Sequence, residues 1–140
     1  MNYNFYNKLL PFLFGTICGY LIVRLLLSGS VLGTSSLEKM INDKRSYPLK
    51  NSARLDQIAY CRAKYLVDNN LWTHNGFKIC FNKYGLYSFF GEVLARNFIN
   101  DYDMVVAWLN SPFHKQVMLG KWRNIGSSKV DNITVVVFSN

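Results

Sequence analysis

Residues 122–138 read WRNIGSSKVDNITVVVF. Two runs of strand-forming residues flank Asp131-Asn132, a pair that tolerates positive φ, so the stretch is predicted to be a β-hairpin with a two-residue turn. Its second arm, Ile133-Thr134-Val135-Val136-Val137-Phe138, does not alternate apolar with polar residues. A strand with one wet face alternates; a nearly continuous apolar run predicts a strand covered on both faces. No βαβ rhythm surrounds it, so the expected fold is α/β: an α-β-α sandwich with an antiparallel sheet.

Working outward, Ser111-Pro112 marks a helix start, with serine at the N-cap and proline at the first helical position. Val117 and Met118 then face inward. Upstream, a helix is expected from Asp101 or Asp103, with Met104, Val105, Trp108 and Leu109 inward. Residues 89–95 are aromatic and branched enough to form a strand. Residues 71–86 lack periodicity and read as a long structured loop, a common place for function in a small domain. A long helix begins near Ser52, with Leu55, Ile58, Ala59, Ala63 and Leu66 in one apolar stripe. Arg54, Asp56, Arg62 and Lys64 are read as lying off that stripe. Ser35-Ser36-Leu37-Glu38 reads as a capping box opening a short helix that stops before Pro48.

The N-terminus is of another kind. After a tail at residues 1–8, residues 9–27 are apolar apart from Arg24. That is close to the length a helix needs to cross the hydrocarbon core, and Arg24 lies near one end, where its stem can snorkel. A retained single-span anchor is expected. The alternative is a signal peptide cut near Ser28-Gly29-Ser30, which would leave the protein secreted. Residues 28–36 read as a linker, and residues 37–140 as the folded domain.

Composition narrows the classes. The 140 residues suit one core-bearing domain. Half of them are hydrophobic and 17% charged, which excludes a disordered polyelectrolyte. Three cysteines are too few for a disulfide scaffold. Cys61 and Cys80 can pair if the domain is exported, provided the fold brings their Cα atoms within bonding distance. The net charge of +8 falls to +6 once Lys8 and Arg24 are removed, and that basic surface suits an anionic phospholipid or another anionic cell-envelope ligand. Nucleic acid is disfavoured, because the basic residues are scattered and no recognition motif is present.

The order of motifs carries a resemblance. Ile41-Asn42 with Arg45 and Pro48-Leu49 is followed by Leu55, Ala59 and Arg62-Ala63. Trp72-Thr73-His74 precedes the long loop. Phe89-Phe90-Gly91-Glu92-Val93-Leu94-Ala95 is similar to a "GENLA" strand, and Trp108-Leu109-Asn110-Ser111-Pro112-Phe113-His114 to a "W..SPGH" segment. Gly126 stands in a closing "iG" hairpin. Together these resemble the CAP superfamily: the SCP-like, cysteine-rich secretory, antigen 5 and pathogenesis-related 1 domains, in their bacterial or viral branch. Val93, Phe113 and Lys115 depart from the family's usual Asn, Gly and Arg. Ser111 stands where animal and plant relatives usually carry a second cavity glutamate.

The resemblance implies that His74, Glu92 and His114 surround one cavity, supported by Trp108 and Ser111. Singly, either histidine reads as a polar residue satisfied by backbone. That both histidines of the chain fall on cavity positions favours the shared site. Two imidazoles and a carboxylate form an open ligand set for Zn²⁺ or another divalent metal. Without metal, Glu92 would hold one imidazole in a fixed tautomer and make it a proton acceptor. Ser111 is expected to turn its hydroxyl to the backbone as an N-cap.

Basic residues past the apolar segment, Arg24, Lys39, Lys44 and Arg45, lean towards a cytosolic domain, but the resemblance implies an extracytoplasmic one. The expected function is therefore a membrane-anchored extracytoplasmic domain that binds a divalent metal and a lipid or cell-envelope ligand. The alternative is a metal-assisted hydrolase of peptide or cell-wall material.

Overall fold

The computed structural model describes residues 36–85 and 89–140. The predicted tail, the membrane segment and most of the linker lie outside the described residues. Among the described residues, no helix is long and apolar enough to cross a membrane. Five helices are described: α1 (Ser36–Asn42), α2 (Ala53–Asp68), α3 (Lys78–Tyr84), α4 (Asp101–Asn110) and α5 (Pro112–Met118). Four strands accompany them: β1 (Lys50–Asn51), β2 (Phe90–Arg96), β3 (Asn124–Val130) and β4 (Ile133–Ser139).

The hairpin forms as its sequence predicts. Val130 pairs with Ile133, and Asp131 takes φ 50° in the turn. All seven residues of β4 are buried, because helices cover it on both sides. Val135 and Val137 join Leu55, Ile58, Ala59, Ala63 and Leu66 of α2. Val136 and Phe138 point the other way, into a core with Ile41 of α1, Met104 and Trp108 of α4, and Met118 of α5. Alternate positions on one strand thus feed two cores, which makes an α-β-α sandwich.

The sheet itself departs from expectation. Its order is β1-β3-β4-β2, and β1 runs parallel to β3, so it is mixed and not purely antiparallel. The parallel strand is only Lys50–Asn51, too short to show an alternating pattern. The Lys50 N–H donates to Arg123 O at 2.9 Å and the Ser52 N–H to Ile125 O at 3.0 Å. The Ser52 side chain then caps α2, accepting from Leu55 N.

Two further corrections bear on the site. The expected loop at 71–86 contains helix α3, which buries Cys80 and Phe81. Its N-cap position is Phe77, which makes no side-chain cap bond, so no start signal marks it. A Cys61–Cys80 disulfide, with Cα atoms 5.8 Å apart, ties α3 to α2. Arg62, read as lying off the α2 stripe, is fully buried. The close seat of α2 on the sheet explains Gly126: a Cβ there would stand 2.4 Å from the Leu55 carbonyl carbon.

Candidate functional site

Arg62 organises the site from beneath. Its Nε donates to Glu92 Oε2 at 2.9 Å, and its Nη2 donates to the Thr73 carbonyl at 2.5 Å. The first bond fixes the carboxylate on β2, and the second fixes the loop that carries His74. The ring of Tyr65 lies 5.7 Å from the guanidinium carbon, a cation–π contact. Arg62 Nη1 is buried and has no hydrogen-bond partner among the described residues. The side chains of Arg62 and Glu92 are 0% and 5% exposed, so little water screens this pair.

Glu92 holds His74 with its other oxygen. Oε1 lies 2.9 Å from His74 Nδ1. A carboxylate oxygen only accepts, so Nδ1 carries a proton, and in the neutral ring Nε2 then keeps its lone pair. The His74 side chain is 57% exposed, which leaves that lone pair within reach of solvent or a ligand. Both oxygens of Glu92 are thereby engaged.

His114 sits in the first turn of α5, and its Nδ1 lies 2.9 Å from Ser111 Oγ. Here the structure corrects the sequence reading. Ser111 does occupy the N-cap position, with Pro112 following, but its side chain makes no cap bond. Its hydroxyl turns to His114, three residues on. Burial, and then the nearby His74 charge, push the His114 imidazole below its usual value. No hydrogen bond joins His114 to Glu92 or His74 among the described residues. Nor is any group of three or more His, Cys, Asp or Glu gathered there as a metal cluster.

Supporting residues set the frame. Trp108 is buried and donates from Nε1 to Leu94 O at 2.9 Å, tying α4 to the strand that carries Glu92. Gly91 is required by packing: a Cβ would meet Trp122 at 2.8 Å and Val117 at 2.9 Å. Beside His74 and Glu92 lies a pocket of about 200 Å³, walled by Phe77, Phe90 and Gly91. Phe90 stacks on Phe81 with centroids 4.2 Å apart and meets Phe77 at 4.9 Å. The disulfide fixes the helix that supplies Phe81.

The residues fit a divalent cation in one respect, the donor set. Each histidine has Nδ1 engaged, and among the described residues no hydrogen bond reaches either Nε2, the usual state of an imidazole ligand whose other nitrogen is held by a neighbour. Arg62 is the member that sequence pattern did not single out. Its signal was spacing: Ile58, Arg62 and Leu66 follow at intervals of four, on one helix face.

No family model matches the sequence, and no curated protein matches it significantly. Solved structures do match. An outer surface protein from Borrelia burgdorferi aligns at TM-score 0.68 and 28% identity, over 74% of this chain and 89% of that one. An extracellular SCP-domain protein from Bacillus anthracis aligns at TM-score 0.70 and 19% identity, over 74% of this chain and 39% of that one. A cysteine-rich secretory protein from Staphylococcus aureus aligns at TM-score 0.68 and 20% identity, over 74% of this chain and 36% of that one. At 19% and 20% identity the likeness is one of fold. The described domain therefore shares the fold of these SCP-domain and cysteine-rich secretory proteins.

Proposed function

We propose that this is an extracytoplasmic binding domain, held at a membrane by residues 9–27. It takes one divalent cation, most naturally Zn²⁺, through Nε2 of His74 and Nε2 of His114. The observation that carries the reading is the His74 Nδ1 to Glu92 Oε1 bond of 2.9 Å. It fixes the tautomer that leaves Nε2 as a ligand atom. Glu92 acts as the orienting partner and not as a third ligand, because Arg62 occupies its other oxygen. A bound cation would supply a Lewis acid for an oxygen of a ligand.

The ligand is a lipid or anionic cell-envelope group, part of which rests on Phe77 and Phe90. The pocket is smaller than those that enclose a whole drug-sized molecule, roughly 300 Å³ upwards, so it suits one end of a ligand. Two observations support a position outside the cytosol. The Cys61–Cys80 disulfide persists in oxidising compartments. The matched structures are described as outer surface, extracellular and secretory proteins.

Thermal melting of the full chain with and without Zn²⁺ tests the metal site, beside His74→Ala and His114→Ala. A rise in Tm that both variants lose supports the proposal. No rise, or one equal in all three proteins, overturns it. Alkaline phosphatase fused after Asn140 tests the location. An active fusion supports an exported domain and an inactive one contradicts it.

A further inference from the structure

A pocket of about 650 Å³ lies away from the histidines. It shares no lining residue with the pocket beside His74. Three segments build it: the turn after α1, with Lys44, Arg45 and Tyr47, the approach to β3, with Lys121, Trp122 and Arg123, and Asn140 after β4. Four of these residues are cations, and among the described residues no Asp or Glu side chain lines the pocket.

Arg45 holds the first two segments together. Its guanidinium donates to the carbonyls of Met118, Gly120 and Tyr47. Carbonyls satisfy N–H groups but do not cancel a charge. Arg45 makes no ion pair among the described residues, and neither do Lys44, Lys121 or Arg123. The nearest acid in sequence, Asp43, is engaged by Lys39 at 2.8 Å. Burial also pushes the Arg45 guanidinium below its ordinary value.

Convergence of like charges is unfavourable unless an anion joins them. Arginine forks and lysine ammonium groups together match the oxygens of a phosphate. The walls are aromatic. Tyr47 is 82% exposed, while Trp122 is fixed by its Nε1 bond to Val117 O at 2.6 Å. Such walls suit the organic part attached to a phosphate, and the volume falls within the usual range for small-ligand sites, roughly 300–1,000 Å³. We propose that this pocket binds a phosphate-bearing anion, in a second site that shares no lining residue with the pocket beside His74.

The test is calorimetry on the full chain in non-ionic detergent micelles. Two probes are titrated: inorganic pyrophosphate, and glycerophosphoglycerol, the deacylated headgroup of phosphatidylglycerol. The variant is Lys121→Glu/Arg123→Glu, with Lys121→Gln/Arg123→Gln as a milder form should the first fold poorly. Lys78→Glu/Lys83→Glu is the charge-matched control elsewhere on the surface. The expected result is binding that weakens about tenfold or more in the 121/123 variants and stays unchanged in the control. Pyrophosphate alone responding in this way assigns a free phosphate. Glycerophosphoglycerol alone assigns a lipid headgroup, and both together assign the phosphate group itself. Absence of binding for both probes, or equal weakening in the control, overturns the proposal.

Discussion

Replacing Glu92 by Gln keeps the shape of the side chain and removes its charge. The cost falls on Arg62, whose side chain is 0% exposed and which then has no anionic partner. Breaking a buried ion pair from one side costs about 3–5 kcal/mol. The amide oxygen of Gln can still accept one of the two original hydrogen bonds, which returns about 1 kcal/mol. The net expectation is a loss of about 2–4 kcal/mol, enough to lower a urea midpoint by about 1 M or more. His74→Ala removes the other, half-exposed partner and should cost under about 1 kcal/mol. Arg62→Met/Glu92→Leu removes both charges together and should cost clearly less than the sum of Arg62→Met and Glu92→Leu measured singly. Urea unfolding followed by circular dichroism reads all five proteins beside the wild type. Additive costs, or a Glu92→Gln loss under about 1 kcal/mol, would refute the view that this pair is a desolvated unit.

Three shorter predictions accompany it. Gly126→Ala forces a Cβ to 2.4 Å from the Leu55 backbone and should destabilise the domain by about 3 kcal/mol or fail to fold, as read by thermal melting. Cys61→Ala/Cys80→Ala opens a link across a separation of 19 residues; it should cost about 3 kcal/mol in chemical denaturation. In metal-free buffer, His114 makes stability depend on pH. Its folded value lies below 6.5, so between that lowered value and 6.5 the unfolded chain binds more protons. Stability from this group is therefore complete above about pH 6.5 and falls as the pH drops towards the lowered value. His114→Gln should flatten that part of the urea-midpoint profile, and an unchanged slope would contradict the assignment.

The parts of the fold legible in sequence were those with long, consistent patterns. The valines of β4 announced a strand between two layers, and the Asp131-Asn132 pair placed its turn. Leu55 to Leu66 showed one helical face clearly. Arg62 escaped because residue type outweighed position: a cation on an apolar stripe reads as solvated until a buried carboxylate is known to face it. Glu38 behaves alike. Read as the acid of a capping box, it is buried, and it accepts from Ser127 Oγ at 2.9 Å and from Asn51. Ser111 was placed correctly on the backbone, yet its hydroxyl chose the imidazole one turn ahead over the helix N–H groups. Two-residue β1 and uncapped α3 carry too little local signal, since both are fixed by partners distant in sequence. The candidate site was legible only as three separated residues, His74, Glu92 and His114. The hydrogen bonds that give His74 and Glu92 their roles depend on tertiary contacts, whereas that of His114 is local, to Ser111.

The central claim is that His74 and His114 offer Nε2 to one cation while their Nδ1 atoms are held by Glu92 and Ser111. Long-range ¹H–¹⁵N NMR on the histidine-labelled full chain in micelles, with Zn²⁺ titrated at neutral pH, tests it most directly. Before metal, His74 should show the Nδ1–H tautomer. On saturation at one equivalent, the Nε2 resonances of both rings should shift together, with Nδ1 still protonated in each. Shifts at Nδ1, at one ring only, or at neither ring would contradict the account.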